Sequence, residues 1–596
     1  MLADKSVYYA GEGLHISVDM PRPDNTSYVA VGETQPLLQG DKMATKKTYE
    51  KSLDEFSASE QLPGKTKVTL GATKVFVVTS ILICELCERL TYYSIVANLI
   101  LFCTSTLKYS SPDAATISLV FSGVVYFIPV AGGYIADAMA GRYNTILGAG
   151  LIYLIGLVMI PASSIDYKSM FGRSEDGSAY DMTLEARRGF FLGGLAFVAI
   201  GTGGIKANVG PFGAQQLEKL GEAAVQSFFN WFYWFINAGA LVAYSGVAYL
   251  QQNYSWAWGF SVPLFSMILA LIVFVLARSQ YEHLPPGESV LATVFNVWRK
   301  GCGHFDRVKK TNGGTIDDVT VDGAVSVLRV LPVYLLMIFY WAIYSQMQST
   351  FFLQAERMNV KVGDVKIPAA MLNIFNTIII LLLIPLVDRL LYPLFEKMGR
   401  PLTHLQRMGV GLLLAGGSVV VAGVVEIYRK QDIADHGAVV QVLGHERFNA
   451  SSMSVFVQIP EYAFVGASEV FASITGLEFA FTQAPPSMQG LLTGLFLMTS
   501  GIGSFVSSAI LKIVEAATTA DPWFPDDINN GKAEYLFFLL GGLMLVNFFG
   551  FLLVARWYKY LPSPSRDDTV PDQVEGADNN GYTITYDEKD VVNTKF

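Results

Sequence analysis

Glu85-Leu86-Cys87-Glu88-Arg89-Leu90-Thr91-Tyr92-Tyr93 lies inside the first long apolar segment of the chain, roughly Ala72 to Cys103. In a helix, offsets of three and four share a face. Glu85, Glu88, Arg89, Tyr92 and Tyr93 therefore form one polar stripe. Charges inside a spanning helix cost several kcal/mol each unless they are paired or lie in a watery cavity. A structural ion pair needs one acid for each base. Here two acids face one base, so one carboxylate is left over, and the stripe reads as functional.

The composition around the stripe agrees with a membrane setting. The 596 residues are 52% apolar and 16% charged, with a mean hydropathy of +0.38. Soluble domains average about 25% charged. The deficit, with repeated apolar runs of about 20 residues, specifies a polytopic helical membrane protein. Net charge is −9, with acidic residues abundant in the two tails. No basic block suggests a nucleic-acid partner.

Cys84-x-x-Cys87 imitates a redox or zinc spacing, but no second ligand pair or histidine lies nearby. With Cys103 and Cys302 these residues read as ordinary thiols, and no metal is expected. None of the six histidines falls within an expected span, so a membrane histidine switch is not expected. No cleavable leader is read, and the first span is expected to direct insertion.

Twelve spans are expected, at 74–101, 114–137, 144–163, 189–209, 226–250, 257–278, 327–353, 368–392, 405–428, 454–480, 487–515 and 534–558. They divide the chain into a disordered cytosolic tail (1–71), a six-helix bundle (72–278), a cytosolic linker (279–326), a second six-helix bundle (327–560) and a second disordered cytosolic tail (561–596). An even count places both tails on one side. Arg299, Lys300, Arg307, Lys309 and Lys310 in the linker favour the cytoplasm for that side. Asn253-Tyr254-Ser255 and Asn449-Ala450-Ser451, two glycosylation patterns, then fall on the opposite side. Within the linker, Glu288 to Lys300 reads as an amphipathic surface helix.

The first tail carries Glu33-Thr34-Gln35-Pro36-Leu37-Leu38. An acid four residues before a Leu-Leu pair looks like a dileucine sorting signal, so coat adaptors are candidate partners. The two halves echo each other. Gly133-x-x-x-Asp137-x-x-x-Gly141-Arg142 follows span two, and Asp388-Arg389 with Gly399-Arg400 follows span eight. Duplicated six-helix halves are the pattern of secondary transporters, whose substrate site lies at midplane between the repeats.

Charge is expected to be sparse in the membrane beyond the first helix. Lys206 lies in Gly201-Thr202-Gly203-Gly204-Ile205-Lys206, and Glu469 lies in the middle of span ten. Arg89 and Lys206 in one half and Glu469 in the other suit a zwitterion such as a peptide or amino acid. Its carboxylate would lie by the bases and its ammonium by the acid. Tyr93, Tyr126, Asn237 and Asn376 are uncharged hydrogen-bonding side chains at a similar depth. Glu85 and Glu88 remain as proton carriers, because protonation of either would loosen the Arg89 pair.

Glu85-x-x-Glu88-Arg89-x-x-Tyr92-Tyr93 resembles the first-helix signature of proton-coupled oligopeptide transporters, within the major facilitator superfamily. Gly201 to Lys206 with Phe212-Gly213-Ala214 resembles a second family motif. Phe229 to Asn237 resembles a third. Gly466-x-x-Glu469 through Thr475-Gly476-Leu477-Glu478-Phe479-Ala480 and Ala484 to Met488 resembles a fourth. The resemblance covers about residues 70–560. It is strongest to the endolysosomal peptide/histidine transporters, through Tyr340 to Gln348, Ile384-Pro385-Leu386 and the tail dileucine.

The resemblance implies an all-α major facilitator fold with twelve transmembrane helices in two pseudo-symmetric bundles. It also implies a proton-coupling role for Glu85, Glu88 and Arg89. Arg89 and Lys206 match carboxylate-binding bases, Glu469 an amine-binding acid, and Tyr93, Tyr126, Asn237 and Asn376 polar positions lining the peptide site. Three positions depart from the family pattern. Ser345 stands where many members carry an acid, Leu119 where animal plasma-membrane members carry a histidine, and Phe496 where many members carry a tryptophan.

The expected function is proton-driven export of histidine and di- or tripeptides from the endosome or lysosome lumen, with protons as the co-transported ion and no other cofactor. Membrane lipid is the expected surround. The alternatives are a plasma-membrane peptide or nitrate-type transporter of the same family, and a transporter-like sensor or scaffold recruiting cytosolic signalling proteins. No nucleophile–base set, phosphate loop or metal cluster is read in the sequence, so an enzyme is not expected.

Overall fold

The computed structural model describes residues 71–560 apart from 169–180, 288, 289, 302, 364, 445 and 484–487. The dileucine element Glu33, Leu37 and Leu38, both tails and Ala484 to Ser487 lie outside the described residues.

Long apolar segments with no water to bond their backbone must close their own hydrogen bonds, and helices do so within one segment. Among the described residues the chain forms twelve long helices. The first half holds α1 (Ala72–Ala97, resumed as Leu99–Ser105), α2 (Ser111–Ala140), α3 (Arg142–Ser164), α4 (Leu184–Leu220), α5 (Glu222–Val242, continued by Ala243–Val247 and Ala248–Asn253) and α6 (Trp256–Leu276). The second holds α7 (Asp318–Glu356), α8 (Ala369–Lys397), α9 (His404–His436), α10 (Val455–Ala480), α11 (Gln489–Ala517) and α12 (Ala533–Trp557). Ten of these are long and apolar enough to cross a membrane. The other two are α1, which carries the charged stripe, and α5, which carries the aromatic and polar run Phe229 to Asn237.

Several helices outrun their apolar cores. Helix α7 starts at Asp318 and α9 ends at His436, because helical hydrogen bonding continues past the apolar run. Two histidines, His404 and His436, therefore stand at the ends of α9.

Within the halves, α3 lies along α4, α1 against α5 and α6, α9 against α10 and α12, and α7 against α11. Helices α2 and α11 meet across the halves. The outward faces expose Leu269 and Ile272 on α6, Leu381 and Leu382 on α8, and Val546 and Leu553 on α12. Large apolar side chains exposed in this way on spanning helices belong against lipid. The echo between the halves extends to backbone geometry. A π turn carries Asp137 before Gly141 (φ 76°), and another carries Asp388 before Gly399 (φ 68°). A φ in that region favours glycine.

Twelve helices bring Gly71 and Tyr560 to one end of the molecule, here the near end, while α1 finishes at the far end. The polar contacts described between the halves lie at the far end. Ser111 donates its N–H to Asp526 Oδ1 (2.8 Å) and its hydroxyl to the Asp526 carbonyl (2.6 Å). Lys512 pairs with Asp113 at 2.6 Å. Ser118 donates to the Gln348 carbonyl at 3.3 Å. A first short hairpin pairs β1 (Lys361–Val362) with β2 (Val365–Lys366). The antiparallel strands β3 (Val439–Leu443) and β4 (Glu446–Ala450) also reach across, pairing Glu446 with Lys108. At the near end the described pairs stay within one half, as in His404–Glu478, or join a half to the linker, as in Lys74–Glu282. The far end is therefore the clasped one. Asn449 is exposed on β4, whereas the Asn253 amide, half-buried, donates to the Lys366 carbonyl at 3.4 Å.

In the linker, the helix Val290–Gly301 buries Val294 and Val297. Trp298 donates its indole N–H to the Ala324 carbonyl of α7 at 3.0 Å. The apolar face of this helix docks on protein, a role the amphipathic pattern alone does not distinguish from lying on lipid.

Candidate functional site

Helix α1 gathers Glu85, Glu88 and Arg89 on one turn, as their spacing requires. Arg89 Nε lies 3.0 Å from Glu85 Oε1, and its terminal nitrogen pairs with Glu88 Oε2. All three are buried, at 4% exposure or less. Gly239 of α5 rests on this turn. A Cβ there would stand 2.8 Å from the Leu86 carbonyl and 3.1 Å from Arg89 Cβ, so only glycine lets α5 close over the stripe.

Lys206 comes from α4. Its ammonium lies 3.2 Å from the centroid of the Tyr126 ring and 5.5 Å from that of Tyr92. No hydrogen-bond acceptor reaches it among the described residues. The Arg89 guanidinium stands 6.0 Å from the same Tyr92 ring. Tyr93 packs 5.2 Å from Tyr92 and 5.3 Å from Tyr244. The first half thus presents two cations set among tyrosine rings.

The second half presents a carboxylate. Glu469 opens the π segment Glu469–Ile474 of α10. Its Oε2 accepts from the Tyr344 hydroxyl at 3.0 Å and the Asn376 amide at 3.3 Å. No cation lies within ion-pair distance among the described residues. Gly466, one turn earlier, admits α8, since a Cβ there would meet the Asn376 carbonyl at 2.8 Å. Tyr93 and Tyr126 of the first half lie within electrostatic reach of Glu469, so these rings stand between the two charge centres.

Asn237 is not joined to either centre. Its amide turns back to the Tyr233 carbonyl of α5 at 2.8 Å. Ser345 donates to the Ala342 carbonyl at 2.8 Å and gives Lys206 no acid partner. Leu119 and Phe496 are buried in apolar packing, with Phe496 6.1 Å from Trp341. Glu478 belongs to the near end, where it pairs with His404 and Arg407. Cys84 and Cys87 are buried free thiols. Among the described residues no cluster of metal-ligating side chains occurs.

Two features escaped the sequence reading. Tyr344 was visible only as part of a motif, because nothing in its spacing shows that its hydroxyl reaches Glu469. The second is a correction to the expectation of sparse membrane charge. Glu356, Arg357, Glu426, Arg429 and Glu461 lie buried together near the far ends of α7, α9 and α10. The signal was present, since Glu426 and Glu461 fall inside the expected spans. The others lie past the apolar runs, in helix extensions that packing keeps dry.

Two opposite charge centres, one in each half of a twelve-helix, two-bundle membrane fold, define a solute transporter of the major facilitator type. Residues 143–529 match the family model described as PTR2, the POT family. The chain is 33% identical over 532 residues to the Arabidopsis thaliana protein NRT1/PTR family 8.3, covering 80% of this chain and 90% of that one. It is 30% identical over 534 residues to solute carrier family 15 member 3 of Rattus norvegicus, covering 80% and 91%. Among solved structures, an auto-inhibited POT family peptide transporter superposes with a TM-score of 0.66 at 25% identity, over 82% of this chain and 98% of that one. The POT family transporter PepTSo gives a TM-score of 0.63 at 27% identity, over 81% and 98%. The chain belongs to the POT family and is a multi-pass membrane protein.

Proposed function

We propose that this protein is a proton-coupled symporter that moves histidine and di- or tripeptides from an acidic endosomal or lysosomal lumen to the cytosol. The observation that carries the reading is Arg89 held between Glu85 and Glu88 opposite Glu469. With the near end in the cytosol, the clasped far end faces the lumen. A proton on Glu85 or Glu88 weakens one of the two pairs that hold Arg89. Arg89, with Lys206, then takes the substrate carboxylate. Glu469 takes the ammonium, and Tyr344 and Asn376 hold that carboxylate in place. Tyr93, Tyr126 and Asn237 line the cleft. Each ligand shifts the cycle only through its different affinity for the two states.

The solved auto-inhibited POT family peptide transporter supports the peptide reading. The rival is a plasma-membrane or nitrate-type carrier of the same family. Glu469 separates them, because a fixed negative charge complements an ammonium and opposes an anion. The lysosomal address rests on Glu33, Leu37 and Leu38, read by coat adaptors.

The test is uptake of labelled histidine, dipeptide and nitrate at acid and neutral pH, using a Leu37→Ala/Leu38→Ala chain at the cell surface. Acid-stimulated histidine and dipeptide uptake that Glu85→Gln/Glu88→Gln abolishes is expected. Nitrate uptake alone, or acid stimulation that survives the double change, overturns the reading.

A further inference from the structure

The buried charges at the far end of the second half do not balance. Arg429, fully buried, directs Nε and a terminal nitrogen to Glu426 at 2.9 and 2.6 Å. Its remaining nitrogen goes to the Arg357 carbonyl and Asn529 Oδ1. Arg357 lies 3.3 Å from Asp527 and 3.8 Å from Glu356. Both guanidiniums are thus engaged, and Glu461 of α10 has none.

Glu461 is fully buried. Its Oε2 accepts one long bond, 3.4 Å, from the Gln458 amide, and its Oε1 has no partner among the described residues. A hydrogen-bonded chain links it to Glu426. Gln458 donates to Gln354 at 2.8 Å, and Gln354 donates to Glu426 Oε2 at 2.9 Å. The titratable groups on the elements around it are Glu426 and Arg429 on α9, and Glu356 and Arg357 at the end of α7. On its own helix it neighbours Tyr462. Helix α8 presents no titratable side chain from Asn373 to Ile384. The charged group that acts on Glu461 is Glu426, of like sign.

A carboxylate buried with no cation and a like charge nearby is strongly destabilising, whereas the neutral acid is not. The cluster is also tied to the clasp between the halves. Gln441 of β3 donates to the carbonyls of Glu356 and Met358, each at 2.8 Å. The Arg357 guanidinium lies 4.4 Å over the Phe448 ring of β4. The same hairpin carries Glu446 to Lys108 in the first half.

We propose that Glu461 is a second proton-binding site, separate from the α1 stripe, which takes its proton from far-side water and must hold it for the far end to close. The proton enters while the far end is open, forms the O–H of the neutral acid, and is sealed in on closure. On reopening it returns to far-side water. The site rests on the reading of this chain as a transporter whose far end faces an acidic lumen. There, acid favours closure.

The experiment places a reporter at the clasp of the full chain, Ser118→Cys, labelled from the far side by an impermeant maleimide. Labelling is expected to be at least about threefold faster at neutral than at acid pH, after correction for thiolate content with a fully exposed cysteine. Glu461→Gln, a mimic of the neutral acid, should abolish that ratio. Glu85→Gln/Glu88→Gln should leave it in place. If the ratio is absent in the parent, or persists in Glu461→Gln, the proposal falls. Loss of acid-driven uptake in the double stripe variant, with labelling unchanged, would leave the site standing, so the two readings fail separately. Should Glu461→Gln not fold, infrared difference spectra decide. A protonated-carboxyl band in the closed parent that shifts in Glu461→Asp supports the site, and a band unmoved by that change overturns it.

Discussion

The Lys206 ammonium lies 3.2 Å from the centroid of the Tyr126 ring, and no hydrogen-bond acceptor reaches it among the described residues. A buried ammonium held by a π face alone is poised to receive an anionic group. Cation–π contacts contribute roughly 0.5 to 2 kcal/mol according to desolvation. Tyr126→Phe, which keeps the ring, should leave dipeptide affinity within about twofold. Tyr126→Leu should weaken it by about tenfold. Competition by unlabelled peptide measures both.

Tyr344 and Asn376 hold Glu469 across three helices. A hydrogen bond to a charged group contributes about 1.5 to 3 kcal/mol. Tyr344→Phe should therefore raise the KM for dipeptide roughly tenfold or more. A substrate lacking the free amine should lose that sensitivity. Equal losses for both substrates would mean that Tyr344 acts elsewhere.

Gly466 is fixed by its neighbour rather than by its own conformation. A Cβ would lie 2.8 Å from the Asn376 carbonyl and 2.9 Å from its Oδ1. Gly466→Ala must push α8 from α10, at a cost of about 1 to 3 kcal/mol. Thermal unfolding in detergent should show the loss, and transport should fall with it because Asn376 moves away from Glu469.

The far-end pair Lys512–Asp113 is about half exposed on both sides. Exposed pairs contribute about 0.2 to 1 kcal/mol. Lys512→Gln alone should speed far-side labelling of Ser118→Cys less than about fivefold. Adding Ser111→Ala, which removes a hydroxyl bond to Asp526, should speed it further.

Glu282 binds Lys74 at 2.8 Å and Lys219 at 2.9 Å, beyond the near ends of the membrane segments. Their hydrogen bonds hold its carboxyl down at about 2, below its ordinary 4.5. The sign follows from the folded value being depressed. Its stabilisation is present above the ordinary value and is lost as pH falls from there toward about 2. Glu282→Gln should lower the melting temperature by the same amount at every pH from about 5 to 8. A difference that changes across that window would contradict the assignment.

The sequence by itself determined the membrane class, the helix order and the turn that joins Glu85, Glu88 and Arg89. Apolar run length and helical periodicity are local properties, and the three residues share one turn. It also singled out Lys206 and Glu469, because an isolated charge in an apolar run is conspicuous wherever the helix packs. Tertiary structure decided what each charge meets. Lys206 faces an aromatic ring and not an acid, Asn237 turns to its own helix, and Tyr344 joins Glu469 over 125 residues of chain. It also decided that Glu461 has no cation, since its neighbours arrive from α7 and α9. Those contacts depend on how the helices rotate and cross, and close approaches such as Gly239 on α1 and Gly466 on α8 set that rotation. No local periodicity encodes it.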